Sequence, residues 1–188
     1  VQKISQKGGF SDLAAGYAGG YRTSHIWLRF TVQSESRQTD WILAMGLPFL
    51  NYVTLYVPRG DGTFQISRQG EMIPVEQRDL IVRGPGFRIH LEPGEQKTFF
   101  VEVHSKGTIA IDGTLWQKEE FSVFERRDIF IIAAFSSLSL YVLLFSVLNF
   151  FNVRNGANFS FFSQFFTTFY INLYTSGVLS LYVFSDMT

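Results

Sequence analysis

The chain contains no cysteine, which excludes disulfides, thiolate nucleophiles and thiolate metal sites. Its three histidines, His25, His90 and His104, stand far apart, and no two have the close spacing of a recognised zinc motif. No metal and no cofactor is expected. Neither a GxxxxGKS/T loop nor a GxSxG elbow occurs, and no basic stripe points to nucleic acid. Adjacent carboxylates stand at Glu119 and Glu120. Glycoside hydrolysis needs two acids facing each other across a substrate, whereas neighbours in sequence diverge into solvent. A membrane-bound hydrolase built on this pair is therefore the weakest reading, and no enzymatic activity is expected of these residues.

The last absence is local. The net charge of zero averages two unlike materials, because every Lys and Arg except Arg154, and every Asp and Glu except Asp186, lies in residues 1–128. From Ile129 to Val153 there is no charge at all. Wound as a helix, that run spans about 37 Å, enough to cross a hydrocarbon core of about 30 Å with some tilt. It shows no polar stripe of the kind a helix in a soluble core carries, and Ala133, Ala134, Ser136, Ser137, Ser139 and Ser146 suit helix packing in lipid. A second uncharged run extends from Asn155 to Ser185. The position of the first run, behind a domain of more than about 100 residues, is wrong for a signal peptide. The opening residues lack both Met and an apolar stretch, so an export signal is expected upstream and further chain downstream.

Residues 24–115 break into short runs rich in β-branched and aromatic residues: 25–32, 41–47, 52–57, 64–69, 87–91, 97–104 and 108–115. Between them lie PRGDG, RGPG, EPGEQ and SKG, the punctuation that chain reversals require. Seven short strands at this spacing predict a mainly β domain, a sandwich or jelly roll. The glycine-rich stretch 8–22 is expected to be a loop with one edge strand. Residues 115–128 are expected to form an exit strand leading into a short amphipathic piece at the membrane surface, with Trp116 closing the domain or sitting at the interface. The expected division is a β-sandwich over 1–124 and a transmembrane hairpin over 125–188, its helices at about 129–153 and 157–185.

Period-two alternation assigns the faces. Ile26, Leu28, Phe30 and Val32, with Val53, Leu55, Val57, Phe87, Ile89, Leu91, Phe99, Val101 and Val103, share the core side. Thr98, Phe100, Glu102 and His104 point the other way. The outward residues Trp27, Arg29, Tyr52, Tyr56, Arg88 and His90 are the candidate ligand-binding set. Aromatic planes stack on apolar ring faces while charged donors take directed hydrogen bonds, as a sugar or small anionic ligand requires. The same residues also suit plain cross-strand packing.

The succession SHIWLRFTVQ (24–33), DWILAMGLPFLNYVTLYVPRGDGTFQ (40–65), GEMIPVEQRD (70–79), FRIHLEPGEQKTFFVEVHSKGTI (87–109) and TLWQKEEF (114–121) resembles the second type of extracellular domain of bacterial seven-transmembrane receptors with diverse intracellular signalling modules. The carriers are Trp27 to Phe30, Gln77 and Arg78, Pro93 to Glu95, and Leu115 with Trp116. The resemblance implies a periplasmic fold like jelly-roll carbohydrate-binding modules, followed by helices in the bacterial inner membrane and a cytoplasmic output beyond Thr188. It overrides the local charge count, Arg126 and Arg127 against Arg154, which favours an inward N-terminal domain. The expected partners are membrane lipid, a carbohydrate or small-molecule ligand, and a second copy of the chain in a homodimer; nucleic acid is not one. The alternative is a periplasmic protein-interaction module anchored in the same membrane.

Overall fold

The computed structural model describes Phe10 and residues 16–21, 24–153 and 156–177. Among these described residues, nine strands are followed by two α-helices: β1 Tyr17–Tyr21, β2 Ile26–Gln33, β3 Asp40–Met45, β4 Tyr52–Pro58, β5 Phe64–Gln69, β6 Gly86–His90, β7 Gln96–His104, β8 Thr108–Ile111, β9 Gly113–Gln117, α1 Lys118–Asn152 and α2 Gly156–Thr175. A four-stranded sheet has the order β2-β7-β4-β5, a three-stranded sheet the order β6-β3-β9, and β1 pairs with β8 alone. The domain is thus built of β-sheets throughout, as the alternation predicts. Arg154, Asp186, most of 8–22, and 178–185 of the expected second span lie outside the described residues.

The run 108–115, expected as one strand, is two. Its first half pairs with β1 and its second half with β3, the chain changing sheets at Asp112. Alternation cannot reveal this, because Ile109, Ile111 and Leu115 keep the same parity through the break. All three face the core cluster, where Leu43, Met45, Val53, Leu55, Phe87, Ile89, Phe99, Val101 and Val103 meet from the facing sheets. Burying one such side chain stabilises by about 1.5–3 kcal/mol, so the shared core holds the layers together. Ile26, Leu28, Phe30 and Val32 of the edge strand β2 flank it, partly buried. Phe100 points outward as expected, yet is buried, because the rings of Phe10 and Phe64 stand 6.5 and 6.1 Å from it.

The buried polar side chains Asn51 and Gln69 are both partnered. Asn51 accepts from the Ser105 hydroxyl at 3.1 Å and the Lys106 amide at 2.7 Å. Gln69, 1 % exposed, donates to the Leu80 carbonyl at 3.1 Å. At Gly70, φ is +128° and a Cβ would collide with the Asn51 carbonyl oxygen, so only glycine lets the chain leave β5 beside Asn51.

The exit from the sheets differs from expectation. Residues 118–128 are not a separate amphipathic piece: α1 is one 35-residue helix that starts directly after β9. Neither glycine nor proline occurs between Thr114 and Asn155 to break it. Glu119 and Glu120 occupy its first turn, where carboxylates favour the positive end of the helix dipole. The expected boundary at 124/125 therefore falls inside a continuous helix about 52 Å long. Among the described residues, α1 is the helix long and apolar enough to cross a membrane, and the rest of the chain leaves its apolar stretch uncovered. Phe130, Phe135, Leu138, Leu144, Leu148 and Phe151 are all exposed along it, the arrangement lipid would solvate. The 20-residue α2 lies against it; the Ser136 hydroxyl donates to Asn172 Oδ1 at 3.1 Å, and Phe150 stacks on Phe162.

Candidate functional site

The outer face of the four-stranded sheet gathers Trp27, Arg29, Tyr52 and Tyr56 from β2 and β4. The antiparallel register opposes Trp27 to Glu102 and Arg29 to Phe100 across β2 and β7, and Tyr52 to His104 and Tyr56 to Phe100 across β4 and β7. The central strand β7 thus draws the aromatics of both neighbours together. The Trp27 and Tyr56 rings lie 5.4 Å apart, and Phe64 meets Tyr56 edge-on at 6.4 Å. His25 stacks on His104 at 4.4 Å, and Tyr52 lies 6.1 Å from the same ring. The Arg29 guanidinium sits over Phe10, 4.8 Å from the ring centre, a cation–π contact.

Glu102 is the polar centre of this platform. Its Oε2 accepts the Tyr56 hydroxyl at 2.8 Å, and its Oε1 lies 2.7 Å from His25 Nδ1. Burial, followed by the hydrogen bond to this carboxylate, pushes the Tyr56 phenol up to about 12; both favour the neutral form. Nδ1 of His104 is buried without a hydrogen-bond partner. A carboxylate with free lone pairs, a guanidinium and a set of aromatic rings can hold a hydroxylated ring by stacking and directed hydrogen bonds. The candidate set named Trp27, Arg29, Tyr52 and Tyr56 but omitted Glu102, His25, His104 and Phe64. Alternation places Glu102 and His104 outward; strand order makes them neighbours of Trp27 and Tyr52.

Arg88 and His90 are not part of the platform. They project from β6, in the other sheet, so the single six-residue face expected from sequence is two separate places. Around the free edge of β6 runs a cleft of about 720 Å³, lined by Asp40, Trp41, Val57, Asp79, Arg88, Ile89, His90, Phe99 and Lys118 among others. His90 sits between Asp40 at 3.1 Å and Glu92 at 3.0 Å. Hydrogen bonds to these two carboxylates, Asp40 first, raise its imidazole above the ordinary histidine value. The Asp79 carboxylate accepts the Arg88 backbone amide at 3.1 Å, covering an edge-strand donor.

The three-stranded sheet turns its other outward residues to the helix. Ile42, Val82 and Phe121 form a second buried cluster joined by Ala44, Leu80 and Trp116, and Trp116 stacks on Phe124 at 4.9 Å. Trp116 is therefore the domain-closing aromatic, packed under α1. Beside it the 82–85 loop reaches both helices. The Arg83 guanidinium pairs with Asp128 of α1 and donates to the Ser176 carbonyl at the end of α2 at 3.0 Å. Gly177, φ +74°, turns away from α2 so close to the loops that a Cβ would stand 2.8 Å from Pro48 Cβ and 3.2 Å from Arg83 Cγ.

The sheet domain thus carries an aromatic face on one side and is fastened at the other to the top of a membrane-length helix. No curated protein is similar enough to the chain to match it. The family model described as 7TMR-DISM extracellular 2 matches residues 1–117, ending where β9 gives way to α1. That domain is a receptor's sensing part, not itself a catalytic one, and with α1 it makes this a membrane protein whose N-terminal domain faces outward. The match covers more than half of the chain, and the chain belongs to the 7TMR-DISM extracellular 2 family.

Proposed function

We propose that the chain is the ligand-sensing part of a receptor of the bacterial inner membrane, with the sheet domain up to Gln117 in the periplasm as a jelly-roll module resembling carbohydrate-binding domains and the helices α1 and α2, from Lys118 on, supplying the first two helices of a larger transmembrane block. The platform of Trp27, Arg29, Tyr52 and Tyr56 around Glu102 binds a carbohydrate or similar small ligand. The observation that carries this reading is the pairing of the Trp27 and Tyr56 faces, 5.4 Å apart, with a carboxylate that both Tyr56 and His25 orient. Ring faces without oriented polar groups would serve packing alone; here both are present on one surface. Occupancy shifts how the sheets hold α1 only so far as the ligand binds the two arrangements with different affinity.

The test is shift mapping of the full chain in detergent micelles against neutral and N-acetylated hexoses. The expected result is saturable change centred on the Trp27 and Tyr56 rings, weakened at least tenfold by Trp27→Ala and by Arg29→Gln. Sugar binding that both substitutions leave untouched would place the ligand elsewhere. A second reading, a protein partner docked on the same face, draws on Tyr52 and Ile66, 43 % and 52 % exposed there; a stoichiometric protein complex lost with Tyr52→Ala, in the absence of any sugar effect, would favour it.

A further inference from the structure

The cleft around β6 is independent of the platform, and its chemistry differs. Half-buried Trp41 and Val57 give it an apolar wall, while Arg88 and Lys118 bring cations to the rim. Among the described residues Lys118 enters no ion pair and Arg88 none through its guanidinium, whereas Lys97, which also lines the cleft, is held by Glu95 at 3.2 Å. Asp40 and Asp79 face the same space; as carboxylates they only accept, so they suit hydroxyl groups and repel a second anion. A ligand satisfying all of these carries one anionic group for Arg88 and Lys118 and hydroxyls for Asp40 and Asp79, on a ring body that lies against Trp41. The volume, about 720 Å³, is in the range of small-molecule sites.

We propose that this cleft binds a soluble sugar carboxylate of the hexuronate class, its carboxylate held between Arg88 and Lys118. A lipid headgroup is out of reach. Lys118 precedes Ile129 on one continuous helix, so it stands about 16 Å above the start of the apolar run, whereas the headgroup layer is about 5–8 Å deep on each side. Lys118 is also the first residue of α1. A ligand bridging it to β6 therefore ties the sheet directly to the head of the membrane helix, a shorter route than from the platform.

The test uses the full chain in nanodiscs of zwitterionic lipid, with galacturonate and galactose as probes that differ only in the carboxylate, and inorganic phosphate as a bare anion. Titration is followed at the Trp41 indole and His90 resonances. Galacturonate is expected to saturate both; galactose is expected to leave them unmoved. Arg88→Gln and Lys118→Gln are each expected to weaken galacturonate at least tenfold, as charge-assisted bonds imply, while Lys118→Arg keeps binding within about threefold and Arg59→Gln, in the exposed turn after β4, leaves it unchanged. Circular dichroism verifies the fold of each variant, and the retained-charge variant Lys118→Arg separates loss of charge from loss of structure. Absence of saturable galacturonate binding, equal affinity for galactose, or indifference to both Gln variants would overturn the site. Tighter binding of phosphate than of galacturonate would overturn the sugar-acid class, and loss of galacturonate binding in discs containing phosphatidylglycerol would overturn the soluble source.

Discussion

Arg83 is the side chain that touches the sheet domain and both helices, so its removal measures how firmly they are joined. Two charges about 4 Å apart attract by about 4 kcal/mol at an effective dielectric of about 20. Against this stands the loss of Arg rotamer freedom, about 2 kcal/mol. The side chains are 24 % and 31 % exposed, between the surface regime of about 0–1 kcal/mol and the buried regime of about 3–5 kcal/mol for breaking a pair. The net coupling of Arg83 to Asp128 is therefore expected at about 1–2 kcal/mol, and Arg83→Met should cost about 1 kcal/mol more than Asp128→Asn, because it also abandons the Ser176 carbonyl. The three tryptophans, Trp27, Trp41 and Trp116, all lie in the strands, so urea unfolding followed by fluorescence in detergent micelles reads the sheet domain. The double-mutant cycle is the decisive quantity. If the Arg83→Met/Asp128→Asn pair costs the sum of the single changes to within about 0.3 kcal/mol, the residues are uncoupled and the junction is not built on this pair.

Other outcomes follow from the same packing. Leu55, 1 % exposed in the core, should cost about 2–5 kcal/mol as Leu55→Ala, seen as a lower urea midpoint. Gly177→Val combines a positive φ with contact on Pro48 and Arg83; it should loosen the end of α2 and raise hydrogen exchange at Ser176 without lowering the sheet domain's unfolding free energy by more than about 1 kcal/mol. Because the Tyr56 phenol is raised from 10.0 to about 12, the stability it contributes is present below about 10 and lost as pH rises through about 12; Tyr56→Phe should flatten that alkaline loss in a thermal-melt series. His90 is raised by Asp40 and Glu92, so its contribution is present below the ordinary histidine value of about 6.5 and fades as pH rises through its higher folded value. His90→Gln should remove that slope between mildly acidic and neutral pH.

Much of this was legible because β structure writes itself in parity. Inward Val53, Leu55, Phe99, Val101 and Val103 could be named from alternation alone, and the outward Trp27, Arg29, Tyr52 and Tyr56 with them. Parity gives a face, however, without saying which sheet the face belongs to. Arg88 and His90 are outward on β6 just as Trp27 is outward on β2, and only the long-range pairing of β6 with β3 separates them from the platform. The split at Asp112 was hidden for the same reason, since a strand can change sheets without changing phase. The continuity of α1 was readable in principle: residues 118–128 hold no helix breaker, but their charge suggested a boundary that the backbone does not make. Arg83 sits in a loop of glycine and proline, and no local pattern marks a loop residue whose partners lie at Asp128 and Ser176.

The geometry also limits how a signal can reach the membrane. The platform lies on the outer side of one sheet and α1 docks on the outer side of the other, with Val101, Val103 and Phe87, all 0 % exposed, between them. Such a core is close-packed and does not deform gradually, so the sheets move α1 as a body or not at all. No linker intervenes between Gln117 and Lys118 to absorb that movement. Switching a receptor fully, from about 1:99 to 99:1, requires about 5.5 kcal/mol of differential binding. The Arg83 pair, at about 1–2 kcal/mol, resets the equilibrium by roughly tenfold and cannot hold either state alone. The remainder has to come from the apolar seat of Phe121 and Phe124 on Ile42, Val82 and Trp116, where undocking exposes the buried Phe121 ring at about 1.5–3 kcal/mol and the half-buried Phe124 ring at about half as much. Salt bridge and aromatic seat together reach about the size a full switch needs, which makes the 42–45 and 113–117 strand pair under α1 the part of the domain whose movement the membrane helix must follow.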